Sequence, residues 1–265
     1  MPTGLLTLLA AALYLSAAVI LALPLLHRRP LPRTIGFGIA AIAILLHTTI
    51  LVTRHGGGVD LHFFAALSLV GVCTAALCLL VNVAKPVATL GVIVFPLAAI
   101  LLALDRYAAP STQPLPFEWQ IKLHVVFALV GYSVLTIAAL LAILLWLQER
   151  ALRLRRFGGI VRALPPLTLT ESLVFQMIGV GFALLTLTLV SGILFVDNLF
   201  AQHLIHKTVL SIAAWLVFGA LLFGRWRYGW RGRRAVQLTL VGMVLLLLAF
   251  FGSRFVLEVV LHRVA

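Results

Sequence analysis

Eight histidines are the most chemically capable residues of this 265-residue chain, and most of them sit beside or inside long apolar runs. His47 lies within one such run, and His124 opens another. His55 and His62 flank a polar gap, His203 and His206 precede a further apolar run, and His262 follows the last one. An unpartnered imidazole is unfavourable in hydrocarbon, so His47 and His124 each call for a hydrogen-bonding neighbour or a metal. Imidazole is a versatile transition-metal ligand, and two histidines on opposite faces suit haem iron. Zinc more often brings a compact Cys/His or carboxylate set. The carboxylates Asp60, Asp105, Glu118, Asp197 and Glu258 form neither HExxH nor a close acid pair, so a zinc protease is disfavoured. No nucleophile, acid pair or phosphate loop argues for catalysis by the chain itself. Cys73 and Cys78 stand five apart in one apolar run, which is not a CxxC pair, and read as small core residues.

Three local patterns add to this. His124 and Tyr132 are eight apart, which sets them on one helical stripe with a phenol below the imidazole. Arg254, Glu258 and His262 repeat every four residues. That row is either a self-paired amphipathic helix end or an anchor for an anionic group, such as a propionate, beside a ligating histidine. The segment Tyr228-Gly229-Trp230-Arg231-Gly232-Arg233-Arg234 is basic and aromatic, as snorkelling anchors or contacts to anionic lipid are.

The elements that must position these residues follow from composition. With 63% apolar residues, 10% charged ones and a mean hydropathy of +1.17, the chain is not a water-soluble enzyme, a disordered tail or a disulfide-stapled secreted module. Eight apolar runs, at 4–26, 35–53, 61–82, 87–104, 121–147, 172–196, 207–224 and 235–258, approach or exceed the ~20 residues needed to cross ~30 Å of hydrocarbon. Lipid satisfies no backbone groups, and the runs lack a barrel's alternation, so the expected fold is all-α. The expectation is one polytopic transmembrane domain over residues 1–265, a bundle of eight helices. The first run reads as a membrane helix and not as a cleaved signal peptide, because Met1-Pro2-Thr3-Gly4 carries no basic residue ahead of it. The two longest connections are Gln148–Glu171 and Asp105–Gln120, and Trp119, Trp226 and Trp230 sit at interface depth.

The net charge of +13 falls in bursts between these runs, as topology signals do, and does not point to nucleic acid. Fourteen of the twenty Lys and Arg residues fall in the loops that share a side with Arg28, Arg29 and Arg33, and six fall opposite. The positive-inside bias then puts both termini outside the cytoplasm, together with every histidine except His27. In the sixth run Gly179, Gly181, Thr186, Thr188, Ser191 and Gly192 favour close helix packing over a wide pore.

Several short stretches carry a resemblance. They are Leu123-His124-Val125 with Gly131-Tyr132-Ser133, then Ser191-Gly192, His206-Lys207-Thr208 with Trp215, Gly229-Trp230-Arg231-Gly232 and Phe251-Gly252-Ser253-Arg254. In these the chain resembles the cytochrome c assembly protein family, haem-handling membrane proteins of c-type cytochrome maturation, and its eight-helix subgroup most of all. The resemblance implies haem binding on the outer side of a bacterial cytoplasmic (inner) membrane, with non-covalent, b-type haem. It implies His124 and His262 as outer ligands and His47 as a membrane-embedded one; His206 by its position, and Tyr132 and Arg254 by the spacings above, complete the candidate site. The implied partners are haem, an apocytochrome or other maturation proteins of the bilayer, and no nucleic acid. Two family features are missing: the stretch Asn198–His206 has no tryptophan, and no histidine stands near Gly224. His203 and His206 are candidates for replacement ligands. Two other classes stay open, a cofactor-free assembly factor and a small-molecule transporter. A transporter predicts repeats and broken helices, against which only Pro96 lies well inside a span.

Overall fold

A computed structural model describes residues 2–26, 32–54, 62–85, 87–108, 118–155, 164–195 and 205–252. Eight α-helices occupy them: α1 Pro2–Leu26, α2 Arg33–Arg54, α3 Phe63–Ala84, α4 Ala88–Tyr107, α5 Trp119–Arg153, α6 Leu167–Phe195, α7 Ile205–Tyr228 and α8 Arg233–Leu247. A π-turn, Leu248–Gly252, continues α8. With the π-turn counted as part of α8, all eight are long and apolar enough to cross a membrane. Their outward faces carry bare aliphatic side chains such as Leu45, Val83, Ile193 and Leu216, as lipid contact requires.

The helices run past the apolar stretches that predict them. α4 continues to Tyr107, which makes Asp105 a helical residue and not part of a connection. α5 has 35 residues, about 52 Å at ~1.5 Å each, and so outreaches the hydrocarbon. Its last turns, Gln148-Glu149-Arg150-Ala151-Leu152-Arg153, are built from strong helix formers. α6 likewise starts at Leu167, so Glu171 lies on a helix and the predicted Gln148–Glu171 connection is shorter than expected.

The chain forms two compact units. The first comprises Met1–Pro116 and Arg150–Pro166, and the second Phe117–Glu149 and Leu167–Ala265. In the first, α1 packs on α2 and α4, and α3 packs on the same two helices. Tyr14, Ile50, Leu90, Phe95 and Leu102 are fully enclosed there. In the second, α7 packs on α6 and α8. Glycines set the closest approaches: a methyl group at Gly181 of α6 would overlap Leu135 of α5, and one at Gly242 of α8 would strike the Phe218 ring of α7. The hydroxyls of Thr186 and Thr188 bond to the carbonyls one turn back, so α6 carries them without orphaned donors.

Candidate functional site

His124 stands in the second turn of α5, half-buried, with Nδ1 at 2.9 Å from Ser191 Oγ on α6. The Ser191 hydroxyl donates its one proton to the Thr188 carbonyl at 3.0 Å. In the tautomer that protonates Nδ1, that oxygen accepts from the ring and Nε2 carries the lone pair. The Thr188 backbone also hydrogen-bonds the His124 ring. An imidazole oriented through one nitrogen, with a lone pair at the other, is how protein ligands to metals are prepared. The donor chemistry fits haem iron.

Tyr132 shares the face of α5 with His124, two turns further along, but its hydroxyl is committed elsewhere. It donates at 2.6 Å to the carbonyl of Leu246, just before α8 changes from α to π hydrogen bonding. Such a change disturbs the carbonyl ladder, and the phenol satisfies one acceptor there. The ring also meets Phe251 edge-on at 5.8 Å. Beside it lies a small cavity of about 30 Å³, bordered by Gly131, Tyr132, Thr188, Ser211 and Leu246, with room for a water molecule. His206 lies exposed in the first turn of α7, next to Lys207, whose ammonium sits 5.7 Å from the Phe250 ring centre. Trp215 donates to Thr186 Oγ1 at 2.9 Å and stacks on Phe182. His203, Arg254, Glu258 and His262 lie outside the described residues.

His47 is fully buried in the first unit, and both its nitrogens are engaged. Nδ1 faces the Tyr14 hydroxyl at 3.3 Å and Nε2 faces Ser68 Oγ at 3.0 Å. The Tyr14 ring in turn stacks on Phe95 at 6.1 Å. An iron bond at His47 would require one of these contacts to open. Neither Tyr14 nor Ser68 was singled out by sequence; a lone phenol in an aliphatic α1 was the available signal. Among the described residues no three His, Cys, Asp or Glu side chains gather as a metal site.

Two ion clusters were also missed. In the first unit Arg54 reaches the buried Asp105, 3.2 Å from the carboxylate, and also donates to the Asp105 carbonyl. In the second unit, buried Glu171 receives Arg225 at 2.9 Å on Oε1, and Arg231 in a two-pronged bond at 2.7 and 2.9 Å. The carboxylate beside Arg231 holds that guanidinium above its ordinary pKa, chiefly through the hydrogen bond and then through charge. Arg225 also lies 4.5 Å from the Phe175 ring centre. The Gly229 N–H bonds the Arg225 carbonyl at a left-handed φ of 65°, which closes α7. Trp230 then folds back over Gly224, where a Cβ would overlap its indole. Trp230 is thus packed against the fold.

The family model described as Cytochrome C assembly protein matches residues 31–261. The chain belongs to the cytochrome c assembly protein family. The match takes in His47, His124, His206 and Arg254 and stops one residue short of His262. Inner membrane protein YpjD of Escherichia coli strain K12 is 41% identical over 137 residues, covering 52% of each chain. Cytochrome c biogenesis protein CcsA of Parasynechococcus marenigrum is 30% identical over 168 residues, 55% of each chain. The CcsA of Guillardia theta is 26% identical over 191 residues, 63% of each. The chain thus spans about half the length of the first relatives it matches. No solved structure matches it. Family, relatives and helices together make this member a multi-pass inner-membrane protein.

Proposed function

We propose that this protein binds haem non-covalently on the outer side of the cytoplasmic membrane, and holds or passes it during cytochrome c biogenesis. The observation that carries the reading is the half-buried His124, held through Nδ1 by Ser191, in a chain of the cytochrome c assembly family. The orientation rests on the fourteen-to-six distribution of basic residues, with both termini and the His124 end of α5 outside. His206 and His262 would be alternatives for a second iron ligand, and Arg254 would supply the counter-charge for a propionate. Tyr132 serves by holding α8 against α5. His47 joins the ligand set only by giving up Tyr14 or Ser68. When bound, haem would supply the iron, and the chain's histidines would hold and orient it. An apocytochrome or another maturation protein would receive or deliver the haem.

The test is an absorption spectrum of the detergent-purified protein with haem quantitation. A Soret band at about one haem per chain is expected, abolished in His124→Ala. Absence of the band after added haem, or an unchanged spectrum in His124→Ala, overturns the reading. The tryptophan-free stretch Asn198–His206 favours a second reading, a cofactor-free factor that steadies another membrane complex. Recovery of a stoichiometric partner with no pigment would establish it instead.

A further inference from the structure

The end of α7 and the start of α8 carry five arginines within ten residues, Arg225, Arg227, Arg231, Arg233 and Arg234. Glu171 accounts for two of them, Arg225 and Arg231. Among the described residues Arg227, Arg233 and Arg234 have no ion-pair partner, and all three are exposed. Two of these are held in place by rings. Arg227 lies 5.7 Å from the Tyr228 ring centre and Arg234 lies 5.9 Å from that of Trp230. Tyr228 and Trp230 stack on each other at 6.3 Å with 25° between their planes. Each guanidinium therefore rests on one member of a shared pair of rings, and that pair is anchored because Trp230 packs over Gly224 and Arg231 is clamped by Glu171.

Cation–π contact uses the face of a guanidinium and leaves its edge N–H groups available, which is the geometry that receives phosphate oxygens. The apolar side of the platform is supplied by Phe223 and Trp226, 6.1 Å apart, with Trp226 82% exposed beside Tyr228 at 66%. Large bare aromatics next to bare arginines at the end of a spanning helix belong at the boundary between headgroups and hydrocarbon. A soluble anion would use the charges and leave these rings in water; a lipid uses both.

We propose that Arg227, Arg234 and the Tyr228–Trp230 ring pair form a headgroup site for an anionic phospholipid of the adjoining leaflet. Arg233 adds charge to the same patch, and the Phe223–Trp226 pair takes the start of an acyl chain. The site lies within the second unit and is independent of haem binding.

Native mass spectrometry of the full chain, released from micelles holding equal amounts of diphosphatidylglycerol and phosphatidylcholine, tests the site. Wild-type protein is expected to retain diphosphatidylglycerol preferentially, and retention should fall steeply as ionic strength rises. Arg227→Gln with Arg234→Gln should lower retention at least about tenfold, since two charge-assisted contacts are lost. A control that removes two exposed cations from the first unit, Arg33→Gln with Lys85→Gln, should change it by less than about twofold, the range of screened surface charge. Equal retention of the two lipids by wild type, a flat salt dependence or wild-type retention by the Arg227/Arg234 pair overturns the proposal. Displacement by millimolar inorganic phosphate, or an acidic protein co-purifying in place of lipid, overturns it as well. The wild-type selectivity and salt arms stand even if a variant fails to fold.

Discussion

Ser191 decides what His124 can do. The serine oxygen, which also bonds the Thr188 carbonyl, meets Nδ1 at 2.9 Å and holds the imidazole in one orientation. Ser191→Ala removes that hold without touching the proposed ligand. Haem affinity is expected to fall about 10- to 100-fold, the usual effect of losing a ligand's supporting hydrogen bond. A haem titration that superimposes on wild type would refute the role. Tyr14→Phe is the matching test in the first unit: it leaves His47 Nδ1 in the core without its neighbour, at a cost of about 1–3 kcal/mol. Unfolding in detergent should reveal that loss, and an unchanged midpoint would show the contact to be idle. That both histidines need partners was legible, because an imidazole in an apolar run must be satisfied. Which partners was not, since Ser68 and Ser191 lie 21 and 67 residues away from them in sequence, among other serines equally eligible. Glu171 was illegible for a related reason: read as the edge of a connection, it had no visible call on Arg225 and Arg231, 54 and 60 residues further on.

At the scale of the helix, sequence marked α6 as a close-packing surface but could not say which glycine does the packing. The structure separates them. Gly179 has nothing within 4 Å of where a Cβ would be, whereas a Cβ at Gly181 would overlap Leu135, itself fully enclosed in α5. Gly179→Ala is therefore expected to be neutral or slightly stabilising, through the better helix propensity of alanine. Gly181→Val should destabilise by about 1–3 kcal/mol, because the extra carbon atoms must displace a packed side chain. Equal midpoints for the two variants in detergent unfolding would remove Gly181 as the point of helix contact. Helix existence was readable from apolar run length alone, but helix ends were not. Polar residues such as Asp105, Gln148 and Glu149 continue their helices, and an apolar-run criterion stops before them.

For the molecule as a whole, the charges that looked like a topology signal turn out to have two jobs. Arg225 and Arg231 are occupied in holding Glu171 and closing the turn between α7 and α8, so they would be present whichever leaflet they faced. Discounting them still leaves twelve basic residues on that side against six on the other, and on the six side Arg54 is spent on Asp105. The bias therefore survives the removal of its structurally committed members, and with it the expectation that the α7–α8 turn faces the cytoplasm while the end of α4 faces out. Single cysteines at two exposed positions, Tyr107→Cys at the end of α4 and Trp226→Cys near the end of α7, make the orientation measurable in a Cys73→Ser/Cys78→Ser background. In intact cells a membrane-impermeant maleimide should label the first and not the second, which should react only after permeabilisation. The reverse pattern would put His124 on the cytoplasmic side and would take the outer-face haem reading down with it, even if the protein still binds haem.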